Sequence, residues 1–179
     1  PLSAGVPRGD GINLSSVFID PELLPHERLA ECARSVLRDP GLASHYDPQG
    51  YRPLREAIAT RLTSRAMDVD PDEVVITTGS QQALDVVARA LEVRRIGLET
   101  PVYPYARMLF ENLGLGVTAL PLDPFQGIDL DLWEKRLAQS RPGLVYAISA
   151  FQNPTGYSYA SHELAGLLGL AEKYRFALL

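Results

Sequence analysis

The sequence predicts an α/β fold in which a mainly parallel sheet is flanked by helices. From residue 74 onward, short apolar runs typical of buried strands alternate with longer segments that have the apolar period of a helix. The connections between these segments are short. Such an alternation is typical of parallel sheets that are covered by helices on both faces.

The strongest local pattern is a strand, a glycine turn and a helix between residues 74 and 91. Residues 74–78 are all β-branched, and after Gly79 the apolar residues follow a helical spacing. Ser80 stands where an N-cap is expected, so the first backbone N–H groups of this helix would lack intrahelical partners. Such a helix end attracts anions, most often phosphate. An ordinary strand-to-helix turn with nothing bound is the alternative.

The other elements follow from the same periodicities. Helices are predicted at residues 26–38, 52–66, 105–113, 129–139 and 161–174. Strands are predicted at residues 95–99, 116–120, 144–149 and 176–179, and a short extended piece at 12–19. Residues 1–11 are rich in glycine and proline and are predicted to be an arm or linker.

Composition excludes several classes of function. With 46% hydrophobic and 22% charged residues, the chain has the composition of a soluble globular domain, and it shows neither a signal peptide nor a membrane-length apolar run. The single cysteine, Cys32, fits a reducing compartment, so we expect a cytoplasmic protein without membrane contact.

Charge and histidine placement make nucleic-acid and metal binding poor hypotheses. The net charge is −5, and the pairs Arg52/Arg55 and Arg94/Arg95 are interpreted as solvated surface charge rather than a nucleic-acid footprint. The three histidines are far apart and no pair has metal-ligand spacing, so no metal site is predicted. Ser80 has no base in its motif, which argues against a nucleophilic role.

Three loops follow predicted strands at their carboxyl ends. They comprise residues 79–81, 99–103 and 152–156. If the strands are parallel, these loops meet at one edge of the sheet, where ligands bind in such folds. Together they offer an anion site, an aromatic ring and an amide, which suits a planar aromatic ligand that carries a phosphate.

Four segments of the sequence resemble class I/II, fold-type-I pyridoxal-phosphate aminotransferases. They are VITTGSQQALD at 75–85, PVYP at 101–104, FQNPTG at 151–156, and YDPQG with PLREAI at 46–58. The resemblance runs over nearly the whole chain, in the order of the family. The most similar branches are the 2-aminoadipate/lysine-type aminotransferases and the aminotransferase-like domain of MocR/GntR-type regulators.

This resemblance implies pyridoxal 5'-phosphate as cofactor and a role for specific residues. Gly79, Ser80 and Gln81 would hold its phosphate. Tyr103 would stack on its pyridine ring, and Asn153 would donate a hydrogen bond to the oxygen on that ring. An aromatic that fills a loop core and a plain Asn-Pro turn are the structural alternatives for these two residues.

The resemblance also implies a homodimer, because in the family a tyrosine of one subunit reaches the phosphate of the other. Tyr46 is the candidate, although His45 occupies the position that the family pattern favours. The family's glycine near the substrate is not evident either, because Ser15, Ser16 and Val17 stand in that region.

The family's cofactor-bonding lysine has no counterpart here. The only lysines, Lys135 and Lys173, lie in amphipathic helices and are interpreted as surface charges. We therefore assign no catalytic residue and expect that this chain alone does not transaminate. Residues 1–45 would be an arm and first helix of the small domain, and residues 46–179 the N-terminal portion of the large domain, with its sheet incomplete and its edge prone to association.

Two functions that use the cofactor remain for the parent protein, together with a third in which no cofactor binds. The first is an aminotransferase that moves an amino group between an amino acid and a 2-oxo acid. The second is an effector-sensing domain of a MocR/GntR-type transcriptional regulator, which a basic helix-turn-helix before residue 1 would identify. A non-catalytic α/β interaction domain is the third, and it requires that no cofactor binds. In none of these does this acidic segment itself contact nucleic acid.

Overall fold

A computed structural model describes residues 20–42 and 46–179 of the 179-residue chain. The predicted arm at 1–11, the extended piece at 12–19, Ser15 to Val17 and His45 lie outside the described residues. The chain forms two compact units, which we call unit 1, up to Val75, and unit 2, from Ile76. The predicted division between residues 45 and 46 stays a prediction.

Within residues 20–42 and 46–75, unit 1 contains two α-helices. Helix α1 (His26–Leu37) begins at the predicted residue, and none of its residues is buried. Helix α2 (Arg52–Thr63) ends three residues before the predicted end at 66. The reason is local: Ala66 has a φ of +62°, and its N–H donates to the carbonyl of Thr63 in a tighter turn. Short 3₁₀ turns lie at Pro21–Leu23 and Pro71–Glu73.

Arg55 corrects one expectation, because its side chain is buried rather than solvated. Only 3% of Arg55 is exposed, and its guanidinium donates to the carbonyls of Gly50 and Pro71 and to the carboxylates of Asp47 and Asp72. A planar guanidinium can serve several acceptors at once, which lets one residue hold two turns against α2. By contrast, Arg52 is half exposed.

Unit 2 contains a five-stranded sheet with the strand order β3-β2-β1-β4-β5. The strands are β1 (Arg95–Thr100), β2 (Gly116–Asp123), β3 (Gly127–Ile128), β4 (Leu144–Tyr146) and β5 (Ala177–Leu178). All pairs are parallel except β2 with β3, in which Leu122 lies opposite Ile128. The predicted mainly parallel sheet is therefore confirmed, whereas the antiparallel β3 was not predicted.

Four helices cover the sheet: α3 (Gly79–Ala90), α4 (Pro104–Asn112), α5 (Leu130–Ser140) and α6 (Ser161–Tyr174). Side chains of α3 and α4 share one buried cluster with Ile96 and Leu98 of β1. Side chains of α5 and α6 share a second cluster with β2 and β4. Successive strand residues point to opposite faces of a sheet, which is why two separate clusters form. In the part of the chain that the structure describes, no helix is both long and apolar enough to span a bilayer.

The strand predicted at residues 74–78 is wrong. Residues 74–77 do not form a strand, and no partner strand pairs with them among the described residues. Val75 is 52% exposed. The β-branched residues favour an extended backbone, but a strand also needs a hydrogen-bonding neighbour, which periodicity does not report.

Candidate functional site

The first loop of the candidate site is the start of α3. Gly79 is exposed and has a φ of +75°, and a Cβ at this position would meet nothing within 4 Å. The N-cap is Thr78, so the prediction that Ser80 is the N-cap is wrong. The side chain of Gln82 reaches back and accepts a hydrogen bond from the N–H of Thr78, at 2.5 Å, which places the helix start before Ser80.

Ser80 and Gln81 therefore lie inside the first turn, and both are exposed. Backbone N–H groups in a first turn lack an acceptor four residues earlier within the helix, so this end of α3 can still receive an anion. The side chain of Gln81 donates to the carbonyl of Tyr105 at 3.3 Å. This contact joins the first loop to the segment that follows β1.

Tyr103 lies in that second segment, where it is the N-cap of α4. Its ring is partly buried and makes an edge-on contact with the ring of Tyr105, with centroids 5.6 Å apart and an interplanar angle of 61°. Because β1 ends at Thr100, Tyr103 stands just beyond the carboxyl end of a central parallel strand. This is the edge at which ligands bind in parallel sheets.

Asn153 lies in the third loop, which follows β4. It is partly buried, and its side chain makes no hydrogen bond within residues 20–42 and 46–179. The preceding residue, Gln152, is only 1% exposed and donates to the carbonyl of Pro101 at 2.8 Å. The second and third loops are thus joined directly beside Tyr103 and Asn153.

The predicted residues fall into two groups. Hydrogen bonds connect the loops that carry Gly79, Ser80, Gln81, Tyr103 and Asn153, all in unit 2. Tyr46 belongs to unit 1 and is 85% exposed. The binding roles of all six residues stay predictions, since they were inferred from a resemblance and not from a bound ligand.

Sequence reasoning missed the buried polar residues beneath these loops. Glu99, the fifth residue of β1, is fully buried and accepts hydrogen bonds from the Ile148 N–H at 3.2 Å, the Gln152 amide at 3.1 Å and the Tyr159 hydroxyl. The sequence signal for this group was a glutamate within the predicted strand 95–99, directly after Leu98. A carboxyl that is buried with such a strand requires hydrogen-bonding partners.

Burial governs the ionisation of this group. It raises the pKa of Glu99, although the hydrogen bonds from Tyr159, Gln152 and Ile148 act in the opposite direction. Burial, with the nearby Glu99 carboxyl, also raises the pKa of the Tyr159 hydroxyl, so this hydroxyl stays protonated and available as a donor. Beneath the loops, the Glu99 carboxyl therefore links β1 to Ile148, Gln152 and Tyr159.

Similarity to known families covers almost the whole chain. The model of "Aminotransferase class I and II" matches residues 9–179. The chain belongs to the class I and II aminotransferase family. The 2-aminoadipate transaminase of Thermus thermophilus is 43% identical over 140 residues, which cover 76% of this chain and 34% of that protein. The protein named "Uncharacterized HTH-type transcriptional regulator YisV" of Bacillus subtilis is 29% identical, and the match covers 99% of this chain and 37% of YisV.

Solved aminotransferase structures share the fold of this family member. An archaeal alanine:glyoxylate aminotransferase superposes with a TM-score of 0.79 at 33% identity, over 89% of this chain and 41% of its own. LysN, the alpha-aminoadipate aminotransferase of Thermus thermophilus complexed with N-(5'-phosphopyridoxyl)-L-leucine, superposes with a TM-score of 0.78 at 38% identity, over 88% and 40%. The chain thus spans between 34% and 41% of the length of these proteins.

Proposed function

We propose that this chain carries the pyridoxal-phosphate site of an aminotransferase that moves an amino group between an amino acid and a 2-oxo acid. The observation that supports this most is the hydrogen-bonded connection of the three loops, through Gln81 to Tyr105 and through Gln152 to Pro101. These loops hold the motifs by which the sequence resembles the family. Their proximity is what a ligand with a ring and a phosphate requires.

The chemistry of the residues fits this cofactor. The exposed first turn of α3 offers N–H groups and the Ser80 hydroxyl to a phosphate, and the open space at Gly79 leaves room for it. Tyr103 offers an aromatic face, and Asn153 offers an amide that has no partner among the described residues. An anion site, an aromatic and a free amide donor are the groups needed to hold a phosphorylated pyridine.

Pyridoxal phosphate, when bound, supplies a ring that withdraws electrons from the amino acid's α-carbon. The chain's own contribution is binding and orientation. Ser80 and Gln81 would hold the phosphate, Tyr103 would stack on the ring, and the Asn153 amide would donate to the ring oxygen. Tyr46 of a second copy would extend the phosphate site, and the working unit would then be a homodimer.

A second candidate is an effector-sensing domain of a transcriptional regulator. It is favoured by the match to YisV over 99% of this chain, since YisV carries the name of an HTH-type regulator. Both functions use the same cofactor site, so cofactor binding does not distinguish them. Assays of the whole parent protein distinguish the two functions. Transamination of 2-aminoadipate, the substrate named for one relative, supports the enzyme. Specific binding to operator DNA without turnover supports the regulator.

The cofactor site is tested by titrating the chain with pyridoxamine 5'-phosphate and following ligand fluorescence. We expect saturable binding, and we expect Asn153→Ala to weaken it about 10- to 150-fold, because a hydrogen bond to a charged group contributes about 1.5–3 kcal/mol. Asn112→Ala is the matched control, since Asn112 is an exposed asparagine at the far end of α4. Absence of binding by the unmodified chain, or equal loss in both variants, would contradict the proposal.

A further inference from the structure

Among the buried polar residues beneath the loops, Glu99 is the shared hydrogen-bond partner of Gln152 and Tyr159. It lies in β1, between β2 and β4, and is completely inaccessible to solvent. A carboxyl in such a position is costly unless each of its oxygens is hydrogen-bonded. Here one oxygen accepts from the Tyr159 hydroxyl, and the other accepts from the Ile148 N–H and from the Gln152 amide. Glu99 is thus the common acceptor of three residues in the connection between β4 and α6.

Gln152 transmits this arrangement to the third loop. Its amide nitrogen faces Oε2 of Glu99, which also accepts from the Ile148 N–H, and the Pro101 carbonyl, at 3.1 and 2.8 Å. Its amide oxygen accepts from the N–H and the hydroxyl of Thr155, at 3.0 and 2.6 Å. Only one orientation of the amide satisfies all four contacts. The backbone on both sides of Asn153 is therefore held by a side chain whose orientation the Glu99 carboxyl helps to impose.

The same contacts reach the second loop. The Pro101 carbonyl accepts from Gln152, and Pro101 lies two residues before Tyr103. Glu99 itself lies four residues before Tyr103 along the chain. The carboxyl thus stands between the backbone that carries the aromatic ring and the backbone that carries the amide. The start of α3, in contrast, makes none of the contacts that Glu99 and Gln152 form among the described residues.

We propose that Glu99 is a positioning residue of the cofactor site, which acts through Gln152 to set the separation of Tyr103 and Asn153. It does not touch the cofactor. Its effect falls on the ring end of the site and leaves the phosphate end at Ser80 and Gln81 unchanged. This inference rests on the proposed function, because Glu99 is argued to position Tyr103 and Asn153, the residues that would hold the pyridine ring.

The test compares two ligands, pyridoxamine 5'-phosphate and inorganic phosphate, on the purified 179-residue chain. In Glu99→Leu the three donors lose their acceptor, and we expect affinity for pyridoxamine 5'-phosphate to fall about tenfold while affinity for phosphate changes less than about twofold. In Glu99→Gln the amide oxygen can accept from Ile148 and Gln152 and the amide nitrogen can donate to the Tyr159 oxygen. We therefore expect this variant to stay within about threefold of the unmodified chain for both ligands.

Leu137→Ala is the control for a loss of stability alone. Leu137 is fully buried in α5 and has no polar side-chain atom that could bond Glu99 or Gln152, so its truncation destabilises unit 2 by leaving a cavity. We expect the ratio of the two affinities to be unchanged in this variant. If Glu99→Leu does not fold, Tyr159→Phe replaces it, because this change removes one donor to Glu99 and retains the ring. We then expect the affinity for pyridoxamine 5'-phosphate to fall about threefold and the affinity for phosphate to stay unchanged.

Amide hydrogen exchange of the unliganded chain gives a readout that does not depend on the cofactor. Glu99→Leu should accelerate exchange in residues 101–106 and 148–157 and leave α5 unchanged, whereas Glu99→Gln should resemble the unmodified chain. Equal loss of both ligands, or unchanged exchange in the two loops, would overturn the role of Glu99 while pyridoxamine 5'-phosphate still binds the unmodified chain. Failure of the unmodified chain to bind pyridoxamine 5'-phosphate would overturn the proposed function and, with it, this role.

Discussion

Two glutamates in unit 2 are nearly inaccessible to solvent, and their pKa values move in opposite directions. Glu99 is 0% exposed and Glu163 is 2% exposed, and each accepts three hydrogen bonds. Burial raises the pKa of Glu99 above its usual range despite its hydrogen bonds. For Glu163 burial acts in the same direction, but hydrogen bonds from Ile128, Ala160 and Tyr157 outweigh it and lower the pKa.

The difference lies in how deeply each carboxyl is buried, which is deeper for Glu99, and in the donors. Glu163 is the third residue of α6, and it accepts from the backbone N–H groups of Ala160, at the start of that helix, and of Ile128 in β3. Such N–H groups, together with the helix N-terminus, favour the charged carboxylate. Glu99 lies within a strand and has one backbone donor, while its other donors are neutral side chains. Glu163 therefore stabilises the fold as an anion, whereas Glu99 is a group for which charge is costly.

The largest effect is expected for Gly127→Ala. A Cβ at Gly127 would overlap Oε1 of Glu163 and the hydroxyl of Tyr157, and Gly127 has a φ of +84°. The left-handed backbone costs about 1–2 kcal/mol, and displacing a charge-assisted hydrogen bond costs about 1.5–3 kcal/mol more. We expect the free energy of unfolding to fall by about 3 kcal/mol. Urea unfolding followed by the fluorescence of Trp133, the single tryptophan and fully buried in unit 2, measures it.

Gly114→Ala is the matched control. Gly114 has a φ of +75°, but a Cβ there would meet nothing within 4 Å. Only the cost of the left-handed backbone remains, so we expect the free energy of unfolding to fall by about 1 kcal/mol. If the two variants are equally destabilised, the Glu163 carboxylate does not contribute as described.

The second prediction concerns Glu163→Gln and Glu99→Gln. Each oxygen of Glu163 faces a backbone N–H, of Ile128 or of Ala160, so either orientation of a glutamine amide opposes a donor to a donor. Glu99 has one oxygen that faces only the Tyr159 hydroxyl, which can reverse and accept. We expect Glu163→Gln to lower the free energy of unfolding by about 2 kcal/mol and Glu99→Gln by less than about 1 kcal/mol. The same urea unfolding measures both, and a larger loss for Glu99→Gln would reverse the comparison.

The smallest effect is the pH dependence of these differences. Because the folded pKa of Glu163 is lowered, its stabilisation is present above the unfolded pKa and is lost as pH falls through the folded pKa. Because the folded pKa of Glu99 is raised, the folded state retains a proton that the unfolded state has lost. Its contribution is therefore largest below the unfolded pKa and falls as pH rises to the folded pKa.

Unfolding of the unmodified chain and of both glutamine variants across this pH range tests these signs. The advantage of the unmodified chain over Glu163→Gln should shrink on acidification, and its advantage over Glu99→Gln should grow. Parallel curves for the three proteins would contradict the assigned pKa shifts.

The helices and strands of unit 2 could largely be predicted, because apolar periodicity is a local property. Helix α6 has both predicted bounds, and β1, β2 and β4 begin at the predicted residues. The errors occur where pairing with a neighbouring strand decides whether a segment is a strand and where it ends. Strand β2 continues to Asp123, beyond the predicted end at 120, because it pairs there with β3. Residues 74–77 have strand composition but no neighbour to pair with among the described residues.

The candidate site divides in the same way. Its loop residues, Tyr103 and Asn153, could be named from sequence because they stand in recognisable motifs that follow predicted strands. The buried groups that support them could not. Gln152 and Tyr159 lie 53 and 60 residues after Glu99 in the chain, and no local pattern reports a contact over such a separation.

The sequence by itself determined the alternation of strands and helices, the family and the loops that carry its motifs, because these depend on residue order and local periodicity. Only the tertiary structure decided which strands have neighbours, where α3 begins and which polar groups lie beneath the loops. These features depend on hydrogen bonds between segments far apart in the chain, and a hydrogen bond requires a partner at the right distance as well as the right residue.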